Sequence, residues 1–293
     1  MTVDPIIALE SLGYTEREAA FLYLVAIHSG YFLRRQFNYF IDRRLGSLAH
    51  NFIEKARVAG HVEVIDYGQG RFVYHLYSKP IYRLLGNAES QNRRRKGDAM
   101  IRARLMALDY VLENNDEHYL ETEQKKLNYF CKVRGVAPEF LTGEQRRLHD
   151  FIGMFPVSLA DREHPASSLV RLAFMDEGLL SLKKFSRFLT DVVPLLYALE
   201  RFEVIYAATS ERNFSSAREL FRRHFAPVPI SHQQTLGDFR RDSVPTRVAN
   251  HSATDATFTT LLFEYTYPKL LRNEPQESAQ QSNVQSLNLE EIA

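Results

Sequence analysis

Between Thr15 and Leu85 the apolar positions recur first at helical and then at strand spacing, which predicts three helices followed by a hairpin. Thr15-Glu16-Arg17-Glu18 has the form of a capping box, in which hydroxyl and carboxylate each satisfy an orphan backbone N–H. Ala20, Phe21, Leu24, Val25 and Ile27 then give that first helix an apolar face. A second helix runs from Leu33 to Ile41, with Phe37 and Phe40 inward and Arg34 and Arg35 outward. The polar break Asp42-Arg43-Arg44 leads into a third, Ser47 to Ala59, which Gly60 ends; its inward set is Leu48, Ala49, Phe52, Ile53 and Ala56. His61 to Asp66 alternates as a half-buried strand, Tyr67-Gly68-Gln69-Gly70-Arg71 supplies a turn, and Phe72, Tyr74 and Leu76 alternate on the return.

Three helices and a glycine-tipped hairpin in this order read as a winged helix-turn-helix, a fold that binds nucleic acid and also serves as a protein–protein module. The outward face of the third helix carries Ser47, His50, Asn51, Glu54 and Lys55, with Arg43 and Arg44 ahead of it. Asn and Arg make bidentate contacts to base edges, whereas Ser, Lys and helix N-terminal amides suit phosphates. His50, Asn51 and Arg44 are therefore the expected base-reading residues. Arg34, Arg35, Arg43, Ser47, Lys55 and Arg71 are expected at phosphates, with Gln69 beside Arg71 at the tip of the hairpin.

Past the hairpin, Ser78-Lys79-Pro80 opens a short helix, Ile81 to Leu85. Residues 87–97 read as a basic linker containing Arg93-Arg94-Arg95-Lys96. A helix from Asp98 to about Asn114 has Ile101, Leu105, Leu108 and Leu112 on one stripe, which fits either a homodimer seam or the face that packs on a second domain. Further helices are expected at Tyr119–Cys131 and Thr142–Ile152. Apolar runs at Phe155–Ala160 and Leu169–Met175 have strand length, and Ser181 to Leu199 returns to helical spacing. Phe202 to Ala208 lacks alternation, as expected of a strand buried on both faces, and Asn213 to Phe225 is a basic helix. This order implies a three-layer α/β unit. The expected fold class is α+β: residues 1–86 a winged helix, 87–97 a linker, 98–152 a helical connector, 153–272 the α/β domain and 273–293 a disordered tail rich in Gln, Ser, Asn and Glu.

Composition changes this picture in two respects. The apolar fraction of 45% and charged fraction of 25% are those of a globular protein, and no run approaches the roughly 18 apolar residues of a membrane span. A single cysteine, Cys131, fits the reducing cytoplasm. The net charge of +1 is unevenly spread: residues 1–105 hold 16 Lys/Arg against 10 Asp/Glu, and the remainder 21 against 26. The polyanion-binding footprint therefore falls in the N-terminal third.

The α/β half also bears comparison with a metal-dependent nuclease, whose chemistry needs two carboxylates on adjacent strands and a nearby Lys. Asp161, Asp176 and Glu177 are the candidate acids, with Lys183 and Lys184 behind them. The first strand has no acid within it, and Gly178 stands where an acid-x-Lys signature requires Lys. Asp176-Glu177-Gly178 reads better as a strand-to-helix turn. No phosphate-binding glycine loop, nucleophile motif, zinc spacing or small-molecule site is apparent, and neither cofactor nor metal is called for.

The stretch from Leu45-Gly46-Ser47 through Gly60-His61-Val62, and the run Leu169–Ala208 ending in FEVIYAAT, resemble the replication-relaxation family of plasmids and integrative elements. Such proteins join a winged helix to a nuclease-like α/β domain. The resemblance implies a restriction-endonuclease-like core, here degenerate because Val157 and Ser158 stand where the family often has an acid after Pro. It also implies a DNA-binding protein of a mobile element, acting in transcription, replication or mobilisation on double-stranded DNA.

Overall fold

The structure is a computed structural model that describes residues 4–42, 46–137, 155–178, 182–199, 201–225 and 255–263. It is mixed α+β with two sheets. The expected helix at Thr142–Ile152 and the expected tail from residue 273 lie outside the described residues.

The N-terminal part begins with α1 (Pro5–Glu10), whose Asp4 cap accepts from the Ile6 N–H at 2.7 Å. α2 (Glu16–His28) opens with the capping box read from its sequence: Glu18 N–H donates to Thr15 Oγ1 and Thr15 N–H to Glu18 Oε2. Its buried face is wider than one stripe. Ala19, Leu22 and Ala26 are buried along with Phe21 and Val25, while Ala20, Leu24 and Ile27 are only half-buried. The cause is that α2 packs on its own helical neighbours and also on a later helix.

A two-residue strand, β1 (Tyr31–Phe32), follows, then α3 (Arg34–Phe40), α4 (Leu48–Val58), β2 (Val62–Asp66) and β3 (Phe72–Leu76). The strands are antiparallel in the order β1-β3-β2, with Val62 opposite Leu76 and Asp66 opposite Phe72. Aromatic rings hold this unit together. Phe37 stacks on Phe52 with centroids 4.3 Å apart, and Phe21 meets Phe32 and Phe37 edge-on at 5.4 and 5.1 Å. The short α5 (Lys79–Leu84) carries Pro80 in its first turn.

Residues 87–97 lie folded onto this unit. Asn92 is buried and donates to the carbonyls of Ala26 and Ile27 at 3.0 and 2.8 Å. Gly30, at φ +80°, leaves room for it: a Cβ there would stand 2.2 Å from the Asn92 carbonyl oxygen. The Tyr31 hydroxyl accepts from Lys96 N–H at 2.8 Å and reaches the Arg94 carbonyl at 3.3 Å.

α6 (Asp98–Glu113) lies between the two sheets. Ile101, Leu105, Leu108 and Leu112 are buried as the stripe requires, and so are Met106, Ala107, Tyr110 and Val111. Leu108 and Leu112 join the core of the first unit, whereas Ile101 and Leu105 join Ala173, Met175, Ile205 and Ala207 of the second sheet. The stripe is thus consumed within one chain and is not a homodimer seam.

That second sheet has the order β4-β5-β6-β7-β8, formed by β4 (His118–Tyr119), β5 (Val157–Leu159), β6 (Val170–Asp176), β7 (Arg201–Ala208) and β8 (Asp255–Leu262). Neighbours are antiparallel as far as β6 and parallel from β6 to β8. α7 (Glu123–Asn128) and a π-helical turn, Tyr129–Val133, replace the single helix expected from Tyr119 to Cys131. With α8 (Lys183–Tyr197) and α9 (Phe214–Phe225) they cover the face opposite α6. β7 is buried on both faces, as its unbroken apolar run requires: Phe202, Val204 and Tyr206 face α8 and α9, and Ile205 and Ala207 face α6. β8 falls within residues 226–272, which read as less regular apart from a late apolar stretch, Phe258 to Tyr267; its pairing with β7 supplies the order.

Candidate nucleic-acid interface

α4 is amphipathic because Ala49, Phe52, Ile53 and Ala56 recur at helical spacing, and burying them turns the intervening positions outward. Ser47, His50, Asn51 and Lys55 are exposed, and Glu54 is half-exposed. Ser47 precedes the helix without a side-chain capping bond, so its hydroxyl is not committed to the helix end. Gly60, at φ +68°, ends the helix as its sequence indicates, and the His61 N–H closes back on the Ala56 carbonyl at 2.9 Å. Leu48, read as core, is instead 53% exposed. Ala49 in the same turn is fully buried, so Leu48 lies at the rim of the helix's buried face.

Several expected phosphate contacts are differently placed. Arg35 turns inward, and its two terminal nitrogens each donate to a carboxylate oxygen of Asp109 on α6 at 2.7 Å. Asp109 is buried, so this bidentate pair is a tie between α3 and α6 and not a free cation. Lys55 reaches back to the N-terminal end of α2, 2.6 Å from Glu18 Oε2 and 3.2 Å from the Gly13 carbonyl, with Tyr14 under its ammonium. It braces α4 on α2. Arg71 folds over the hairpin turn, with its guanidinium on the Gly68 and Tyr67 carbonyls at 3.2 and 3.4 Å. Arg34 stays exposed and donates to the Gly46 carbonyl at 3.3 Å, which holds it at the entry to α4. Arg43 and Arg44 lie outside the described residues.

The hairpin tip is built from positive φ angles, +77° at Gly68, +55° at Gln69 and +72° at Gly70, and Asp66 Oδ1 accepts from the Gly68 N–H at 2.7 Å. Gln69 is exposed at its apex. A cation absent from the expected set is Arg57, which lies one turn beyond Glu54 on α4 and is bound to it at 2.8 Å. That pairing holds the Glu54 carboxyl below the usual carboxylate range. The Glu54-Lys55-Ala56-Arg57 spacing carries this i,i+3 signal in the sequence.

The three acids of the nuclease alternative do not meet. Asp161 lies in the turn between β5 and β6, bound to His164 at 3.0 Å, whereas Asp176 and Glu177 follow at the far end of β6. A strand of that length separates its ends by about 20 Å. Asp176 is buried and already saturated: it accepts from Gly178 N–H at 2.9 Å, from Asn213 Nδ2 at 3.0 Å and from the Tyr206 hydroxyl. Glu177 is buried beside Lys184 at 3.5 Å, and burial raises its carboxyl above the usual range. On the paired strands themselves, Val157 faces Leu172, so no carboxylate pair spans β5 and β6. Among the described residues no group of three or more His, Cys, Asp or Glu could hold a metal ion.

No protein-family model, curated protein or solved structure matches this chain.

Proposed function

We propose that the chain is a sequence-specific double-stranded-DNA-binding protein whose N-terminal unit is a winged helix, with α4 entering the major groove and the β2–β3 hairpin resting on the flanking backbone. The observation that carries this reading is the outer face of α4. Ser47, His50 and Asn51 stand exposed on a helix held by an aromatic core, next to the exposed Arg34. Asn51 pairs naturally with adenine N6/N7, and His50 with a base-edge acceptor. Arg34 and Ser47 hold the backbone; Arg43 and Arg44 complete the basic entry on sequence grounds, and Gln69 lies at the wing apex. The α/β half serves as a non-catalytic scaffold, in keeping with the resemblance to replication-relaxation proteins of mobile elements.

Gel-shift titration against a selected duplex tests this. Asn51→Ala and His50→Ala should each cost about 1–3 kcal/mol for the preferred sequence and leave random duplex nearly unaffected. Equal affinity of both variants for the selected duplex would contradict it.

One observation favours a second reading, a protein-binding winged helix. Leu48 and Val58 are exposed on α4 at 53% and 78%, while Lys55 and Arg57 are already paired with carboxylates. Under that reading the affinity for random duplex barely changes with salt, whereas phosphate neutralisation gives a slope of about 0.9 per contact.

A further inference from the structure

The outer face of α4 is polar over its first two turns except at one position. Ser47, His50, Asn51 and Lys55 are exposed there, and Leu48 is the one exposed apolar side chain among them. The core beneath the helix takes Ala49, Phe52, Ile53 and Ala56 and leaves Leu48 outside. Its apolar surface therefore stays open to whatever meets the N-terminal half of α4.

The position of Leu48 on the helix decides which neighbours it can act with. Leu48 and Asn51 are three residues apart, which sets them on a single flank with Cβ atoms about 5–6 Å apart. His50, two residues on from Leu48, faces the other margin of the exposed surface. Successive bases of a duplex are stacked about 3.4 Å apart, so side chains spaced like Leu48 and Asn51 reach one base pair or two adjacent ones.

The chemistry of an A·T pair supplies the occupant. Asn51 is suited to adenine N6 and N7, and every adenine of a duplex faces a thymine. The thymine C5-methyl is the apolar group that this pair displays in the major groove. A methyl neither donates nor accepts a hydrogen bond, so the polar side chains around Leu48 gain little from it, whereas Leu48 buries it. Val58, the other large apolar residue exposed on α4, lies ten residues on and about 15 Å along the axis. It does not extend Leu48 into the contiguous apolar patch that marks a protein-binding surface.

We propose that Leu48 is a specificity residue that packs on the C5-methyl of a thymine within one base pair of the adenine held by Asn51. The inference rests on the reading of α4 as the helix that enters the major groove. It adds the chemical class of the target, an A·T step recognised through its hydrogen-bonding edge and its methyl group together.

Uracil differs from thymine only by this methyl, so replacing thymine by uracil, one position at a time in the duplex selected by the full chain, isolates the contact. In gel-shift titration the wild-type affinity should fall about fourfold at one thymine, the value of one buried methyl, and stay unchanged at the others. Leu48→Ala should bind the thymine duplex more weakly by at least that factor and lose its sensitivity to uracil at that position. Leu48→Met, which keeps an apolar contact, should retain the sensitivity. Melting temperatures of both variants should stay close to wild type, because the buried face of α4 is untouched. Wild-type affinity indifferent to uracil at every thymine, or an equal uracil penalty in wild type and Leu48→Ala, would overturn the proposal. In either case a persisting Asn51→Ala defect leaves the reading of α4 standing, with Leu48 then open to a protein partner. Duplex binding independent of sequence and of Asn51 overturns that reading and the proposal with it.

Discussion

Arg35 illustrates how the partner of a side chain, and not its type, decides its role. Its fork closes on the buried carboxylate of Asp109 with two bonds of 2.7 Å. Arg35→Ala should therefore lower stability by about 2 kcal/mol or more in urea unfolding, since it leaves a buried charge without its main partner. The salt slope of DNA binding should not change, whereas Arg34→Ala should reduce that slope by about one. His75 makes a different prediction. It is buried on β3 and stacked on Tyr31 at 4.4 Å. Burial lowers its pKa from 6.5, with Glu63, 3.6 Å away, opposing the shift. The unfolded chain thus takes up the proton first as pH falls. The stability held above pH 6.5 is progressively lost below it, until the folded state protonates as well. Thermal melts from pH 8 to pH 5 should show this decline; His75→Phe, which keeps the ring stack, should lessen it, and His28, which burial pushes down to about 3, accounts for part of the remainder. A wild-type melting temperature that rises on acidification would refute the assignment.

At the scale of the element, α4 depends on a few rings. Phe52 touches Phe21, Phe32, Phe37 and Tyr14, so Phe52→Ala opens a cavity that its neighbours cannot fill. A loss of about 3–5 kcal/mol is expected in chemical denaturation, together with the loss of DNA binding. The signals legible in the sequence were those that an element carries by itself. The capping box at Thr15, the glycine stop at Gly60 and the both-faces-buried run of β7 each arise from local sterics or from one repeating period. Features made by distant neighbours were not legible. Leu48 satisfies the period of a core residue, yet it is exposed while Ala49 beside it is fully buried. β1 is too short for any period, and β8 depends on β7 for its order.

Across the whole molecule, α6 is the common middle layer. It places Leu108 and Leu112 in the N-terminal core and Ile101 and Leu105 against the five-stranded sheet, and its Leu105 carbonyl accepts from Gln36 at 2.8 Å. Two units sharing one buried helix should unfold together, so far-UV circular dichroism and tyrosine fluorescence should report one coincident transition; two separated midpoints would contradict the shared layer. The sequence is unevenly charged, positive over its first 105 residues and negative over the rest. The central claim concerns the positive part, and selection of bound duplexes from a random pool by the full chain, repeated at two salt concentrations, tests it most directly. The account predicts a short enriched motif that collapses in Asn51→Ala, with an affinity that falls steeply as salt rises. A pool that stays random, or retention indifferent to salt, would contradict it.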